Sequence, residues 1–130
     1  MTENAATAVH NVGYHAHIYY DPTSTRAVAK GVCAGLGAQC QVEMEAFRDV
    51  PRGPHPLPNV LVIFTPDQFA QVVPYLMVHR HGLDVLVHPL TEDAVADHTD
   101  FALWLGTPIA LKIDTLPHGR GGRLPSGVSA

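Results

Sequence analysis

An α+β fold, with one antiparallel sheet and its helices on a single face, is the class this sequence predicts. Three observations point to it. Short segments of period-two alternation are interleaved with two stretches of helical period. Those segments run in the order strand, helix, strand, strand, helix, strand. A chain of 130 residues, 46% apolar and 15% charged, has material for one core and no more.

The first strand is "YHAHIYYD", residues 14–21. Successive side chains on a strand point to opposite faces, so Ala16 and Ile18 share one side while His15, His17 and Tyr19 share the other. Asp21-Pro22 then reads as an N-cap with proline at the first helical position, and Val28, Val32 and Leu36 recur at helical spacing until Gly37 ends the helix. "CQVEMEAF", residues 40–47, sets Val42, Met44 and Ala46 against Gln41, Glu43, Glu45 and Phe47, a half-buried second strand. A proline-rich connection leads to "NVLVIFT", the third strand at residues 59–65.

Thr65-Pro66-Asp67-Gln68 has the pattern of a capping box, and Phe69, Val72, Val73, Leu76 and Met77 carry a second helix to Gly82, with a kink expected at Pro74. "LDVLVHP", residues 83–89, is the fourth strand, and Thr91 caps a short helix through "EDAVADHT". The order βαββαβ is that of the ferredoxin-like sandwich: a four-stranded antiparallel sheet, two helices on one face, and here a C-terminal extension. Residues 1–12 and 117–130 have the composition of flexible termini, which leaves residues 13–116 as the folded domain.

Charge and motif content exclude several functions. A formal charge of −4 with only eight lysines and arginines is wrong for a nucleic-acid surface, and no apolar run is long enough to span a membrane. Cys33 and Cys40 make no disulfide framework, so a reduced, cytoplasmic protein is expected. No glycine-rich phosphate loop follows a strand, no G-x-S-x-G occurs, and Cys33 falls on the apolar stripe of its helix. The chemistry is left to nine histidines.

In the predicted topology the fourth strand lies antiparallel beside the first, so His88 projects from the same face as His15 and His17. Three imidazoles from two strands suit zinc or ferrous iron. Glu43 and Glu45 share that face, nearer the far edge of the sheet. Alternating histidines also serve as plain surface or interface residues, so the spacing alone leaves both readings open. His55, in "GPHPLP", is held extended by flanking prolines, but reaching the same site requires its loop to fold over or a partner subunit to supply it. His98, in "ADHTDFALWLG", suits either an acid/base role or simple capping. An open face bearing Phe47, Leu61, Ile63 and Leu86 is expected to be covered by a second copy, as a homodimer.

"YHAHIYYD", "GPHPLP", "LDVLVHPLTED" and "DHTDFALWLGTP" resemble, in this order, the motifs of the DOPA 4,5-dioxygenase family, over about residues 14–113. The resemblance implies extradiol, oxygen-dependent cleavage of a catechol such as 3,4-dihydroxyphenylalanine, with Fe(II) the expected metal and zinc a possible occupant of a purified sample. It carries over His15, His17, His55, His88 and His98 as the site without dividing their roles. The expected metal ligands are His15, His17 and His88, with His55 a further ligand or a catalytic group and His98 an acid/base or ligand-orienting group. Tyr19 and Trp104 are candidate aromatic walls for the substrate, with plain packing the alternative role for each, and Arg52 and Arg80 are candidate partners for its charged end. Two rival readings remain at this stage: a non-enzymatic dimer that binds a metal or a small aromatic ligand, and a cofactor-free monooxygenase in which histidines act on the substrate directly.

Overall fold

The computed structural model describes residues 10–129. Strand β1 (Tyr14–Tyr19) is followed by helix α1 (Arg26–Gln39), β2 (Glu43–Met44), β3 (Asn59–Phe64), α2 (Phe69–His79), β4 (Val85–Pro89), α3 (Ala94–Asp97) and β5 (Leu103–Leu105). The sheet has the order β2-β3-β1-β4-β5 and is antiparallel throughout. The predicted α+β class and the neighbouring positions of the first and fourth strands are therefore present, with a fifth strand added beyond β4. That strand is three residues long, too short to leave a periodic signal in the sequence.

Local chemistry explains where the element ends differ from expectation. Asp21 does not cap a helix; its carboxylate accepts from the Thr23 amide and hydroxyl, both at 2.8 Å, and makes a turn that delays α1 to Arg26. Gly37 does not stop α1, which closes when the Cys40 amide donates to the Leu36 carbonyl at 2.9 Å. The capping-box residues form a short 3-10 turn over Pro66–Gln68 that leads into α2, with Pro74 tolerated on its exposed side. Asp93, not Thr91, caps α3 by accepting from the Ala96 amide at 3.0 Å. Thr91 instead donates its hydroxyl to the buried Asp97 at 2.6 Å.

One face of the sheet carries the apolar core. Ala16, Ile18, Val60, Val62, Phe64, Val85 and Val87 meet Val32 and Leu36 of α1 and Val72 and Leu76 of α2. The opposite face is also buried: His15, His17, Tyr19, Ile63, Leu86 and His88 are all sealed from solvent within this one chain. The cover comes from the loop around residues 50–58, from α3 and from residues 117–129. Phe47 is not on that face; it packs on Tyr20 at 5.1 Å between centroids, under Arg26 and Lys30. The sheet face assigned to a partner copy is thus covered intramolecularly, which removes the apolar reason for expecting a homodimer.

The two ends also depart from expectation. Residues 1–9, most of the segment read as a flexible N-terminus, lie outside the described residues. Val12 is already anchored, its amide donating to Leu90 at 3.2 Å. Residues 117–129, read as a free tail, form a strap back across the sheet. The Ala94 amide donates to the Gly119 carbonyl at 2.8 Å, Arg120 donates to the Leu90 carbonyl at 2.8 Å, and the Ser126 amide donates to Glu43 at 2.7 Å. Glycine and proline serve here for close approach: Gly122, at φ 84°, lies where a Cβ would come within 2.9 Å of the His15 ring. Among the described residues no helix is long and apolar enough to cross a membrane.

Gly31 offers a test of the helical side. It lies exposed within α1, with nothing within 4 Å of the point its Cβ would occupy. Gly31→Ala is expected to stabilise the protein by about 0.5–1 kcal/mol, because alanine loses less backbone entropy in a helix. Thermal unfolding should show a rise of a few degrees; an unchanged or lower midpoint would mean α1 is not helical at this position.

Candidate metal centre and its cavity

The central strand sets the site. His15 lies directly across from His88 in the β1–β4 register, and His17 is two residues on along the same face. Burial holds all three imidazoles neutral. It pulls His15 down to about 4 and drives His17 and His88 well below the usual histidine range, with neighbouring imidazoles adding to the effect. His55 is brought down to about 3, again chiefly by burial, and His98 is lowered for the same reason. At neutral pH five uncharged imidazoles converge.

Their outer hydrogen bonds fix the tautomers. His17 Nδ1 lies 2.9 Å from Asn59 Oδ1, while the Asn59 amide nitrogen donates to the Leu57 carbonyl at 3.1 Å, so the oxygen faces the ring and Nδ1 must be the donor. His88 Nδ1 donates to the Pro89 carbonyl at 2.8 Å. Both rings therefore turn an unprotonated Nε2 inward, and these two nitrogens face each other at 3.2 Å. Two lone pairs at that distance repel unless a cation lies between them. Imidazole nitrogens roughly 2.0–2.1 Å from one ion stand about 2.9–3.4 Å apart, so the pair fits a shared metal.

The remaining imidazoles close the ring around this pair. Donor atoms of His15, His17 and His88 lie within 4.8 Å of one another, and so do those of His17, His55 and His98. His98 Nδ1 donates to the Ala94 carbonyl at 2.7 Å, which leaves its Nε2 unprotonated. His15 Nε2 donates to the Arg123 carbonyl at 2.6 Å, which leaves its Nδ1 free. The loop carrying His55 has folded over: the turn over residues 52–55 closes with the His55 amide donating to Arg52 at 3.0 Å, and Lys112 holds Pro54 at 2.8 Å. All five sequence-nominated histidines line one cavity of about 390 Å³.

The two aromatic candidates are placed differently. Tyr19 and Trp104 do not line the cavity; they stack on each other with centroids 6.0 Å apart, behind His55. The Tyr19 hydroxyl lies 2.6 Å from His55 Nδ1, and burial raises its pKa far enough to keep the proton on oxygen. Donating that proton to Nδ1 leaves His55 with an N–H at Nε2, so Tyr19 orients an imidazole instead of forming a wall. Arg80 is also far from the site, at the end of α2, where it donates to Met77 at 3.1 Å.

The Dopa 4,5-dioxygenase family profile matches residues 14–115. This chain is a member of that family. A crystal structure of a candidate dioxygenase from Nostoc punctiforme is 46% identical, with a TM-score of 0.79 over 88% of this chain and 96% of its own. A DOPA 4,5-dioxygenase from Amanita muscaria is 37% identical over 67 residues, and an uncharacterized 21.2 kDa protein from Botryotinia fuckeliana is 36% identical over 81 residues. The matches take in 52% and 56% of this chain and span only 29% and 44% of those two curated relatives.

Several cavity residues of this family member escaped the sequence reading. Asn59 had a signal: it pairs with Tyr19 in the β1–β3 register and shares the parity of Leu61 and Ile63. Arg48 and Arg123 had none, since their places depend on a loop and on the strap. Glu43 and Glu45, which share the histidine face, are engaged by arginine, with Arg123 3.1 Å from Glu43 and 3.6 Å from Glu45.

Neutral burial makes acid stability a direct readout. The unfolded chain takes up protons on these imidazoles near pH 6.5, whereas folded His15 does so only near 4 and His55 near 3. Between those values the unfolded state binds more protons, so stability is full above pH 6.5 and falls as the pH drops through that window. For His15 alone the loss amounts to about 3 kcal/mol. Urea unfolding of metal-free protein at pH 7.5, 6 and 5 should show a steadily falling midpoint; a flat profile would mean the imidazoles are hydrated.

Proposed function

We propose that this protein is a metal-dependent extradiol dioxygenase that opens the ring of a catechol of the dihydroxyphenylalanine type. The opposed, unprotonated Nε2 atoms of His17 and His88, 3.2 Å apart inside a cavity of about 390 Å³, carry the proposal. His15 is the third ligand, since it stands across from His88 and shares the cluster. Ferrous iron is the metal that suits the reaction; zinc suits the same donors without supporting it. Held by these histidines, ferrous iron would supply the redox-active centre at which catechol and dioxygen react.

The protein's own groups handle the protons. His98 keeps its Nε2 unprotonated because its Nδ1 is tied to Ala94, and its lowered pKa leaves it free to accept a catechol hydroxyl proton at neutral pH. His55, oriented by Tyr19, presents an N–H that can donate to the oxygen on which charge develops. Asn59, through Nδ1 of His17, fixes which nitrogen points at the metal. Loop, helix and strap exclude water from the reacting atoms. Both oxygen atoms end in the ring-opened acid, so no external reductant is needed.

Oxygen uptake with visible absorbance, after anaerobic Fe(II) loading, tests this on simple catechols and on dihydroxyphenylalanine. Native protein should consume oxygen and form a yellow product, and His17→Ala or His88→Ala should lower the rate by at least about a hundredfold, as expected for loss of a metal ligand or its orienting partner. Metal bound with no turnover of any catechol would favour a non-enzymatic metal-binding protein. Turnover that survives chelation would favour a cofactor-free monooxygenase.

A further inference from the structure

The floor of the cavity is neutral, but its mouth is not. Among the described residues, Arg48, Arg52 and Arg123 line it together with a single carboxylate, Glu45. Their nitrogens stand 3.9, 3.5 and 3.6 Å from the Glu45 oxygens, longer than close charge-assisted bonds. The Glu45 side chain is only 19% exposed, whereas the three arginines stay 49–52% exposed. Arg123 also holds Glu43 at 3.1 Å, outside the cavity lining. The lining itself therefore carries three cations against one anion, and that anion is already shared.

We propose that Arg52 and Arg123 form a clamp for a carboxylate on the substrate side chain, so that the enzyme prefers catechols ending in a simple carboxylate. The inference rests on the catechol reading of the same cavity. With the two hydroxyls at the imidazole floor, the side chain of the ring points outward to the mouth. A guanidinium fork matches a carboxylate in geometry as well as charge. The Arg52 backbone is tied to that of His55, whose amide closes the turn that carries both. Arg123 is placed by the strap, whose backbone carbonyl at that residue accepts from His15. The strap lies beyond residues 14–115, so this half of the clamp is outside the family match.

The same arrangement disfavours an ammonium. Among the described residues, Glu45 is the one acidic group lining the mouth, and it is surrounded by arginines. An α-amino group gains no partner there, so a zwitterionic side chain should bind less tightly than a plain acid, and a cationic one least of all.

Calorimetry on zinc-loaded protein without oxygen tests the clamp independently of turnover. The probes are 3-(3,4-dihydroxyphenyl)propionate, dihydroxyphenylalanine, 4-propylcatechol and dopamine. The propionate should bind about tenfold or more tighter than 4-propylcatechol at low salt, with dihydroxyphenylalanine between them and dopamine weakest. In Arg52→Ala/Arg123→Ala the preference should fall to within about twofold, and Arg52→Glu should reverse it, while Arg80→Ala should keep it. Equal affinity for propionate and 4-propylcatechol in native protein, or a preference that survives the double substitution, overturns the clamp and leaves the catechol reading standing. Failure of all four catechols to bind overturns both.

Discussion

The structure depends on burying both faces of one strand. β1 lies at the centre of the sheet, between β3 and β4, with alanine and isoleucine on one side and two histidines and a tyrosine on the other. The apolar side is sealed by α1 and α2 through ordinary hydrophobic packing. The imidazole side cannot be sealed so simply, because every buried polar atom needs a partner. The carbonyls of Pro89, Ala94 and Arg123, the Asn59 amide and the Tyr19 hydroxyl supply those partners. All but Tyr19, which lies on β1 itself and meets His55 of the covering loop, are attached to a segment that covers the face or to a neighbouring strand. Covering the sheet and orienting the imidazoles are one structural task.

How much of this was legible follows from the range of the interactions. The apolar alternation of β1, β3 and β4 is a local property, so the fold class, the strand neighbours and the shared face of His15, His17 and His88 could be read directly. Motif resemblance added His55 and His98, whose place in the cavity depends on a loop and on a four-residue helix. The termini misled for a physical reason. Gly121, Gly122 and Pro125 look like linker, yet the glycines let backbone lie against His15 and Ala94, and the proline packs on Gly13. Composition measures the lack of side chains to bury, and a strap held by backbone bonds does not require them. Phe47 was assigned to the wrong face because the alternation of residues 40–47 was extrapolated past β2, which is only two residues long.

The five imidazoles also explain why the cavity tolerates so many polar groups. A buried ion must be paired at considerable cost, whereas a neutral imidazole needs only its hydrogen bonds. Burial therefore selects the protonation state that a metal requires. Second bonds to carbonyl, amide and hydroxyl groups then select the tautomer. The unfavourable element is the His17–His88 contact, where neither nitrogen carries the proton that would make it a hydrogen bond. Such a contact is costly in the isolated fold, and it becomes favourable only with a cation between the rings. Local strain of this kind belongs to a site built to receive something.

Keeping carboxylates off the floor has a chemical consequence. On the proposed reading, a dication held by neutral imidazoles would keep its charge for an anionic catechol, whereas each carboxylate ligand would cancel part of it. Glu43 and Glu45 lie on the histidine side of the sheet, yet both are drawn outward onto arginines. The arginines in turn are held away from the floor, where their charge would compete with a metal. His55 feels Arg52, and His15 feels both Arg123 and Glu45, so rim and floor are electrostatically in contact while remaining chemically separate. On the proposed reading, the interior would hold the metal and the ring oxygens, and the mouth would discriminate the charge at the other end of the ring.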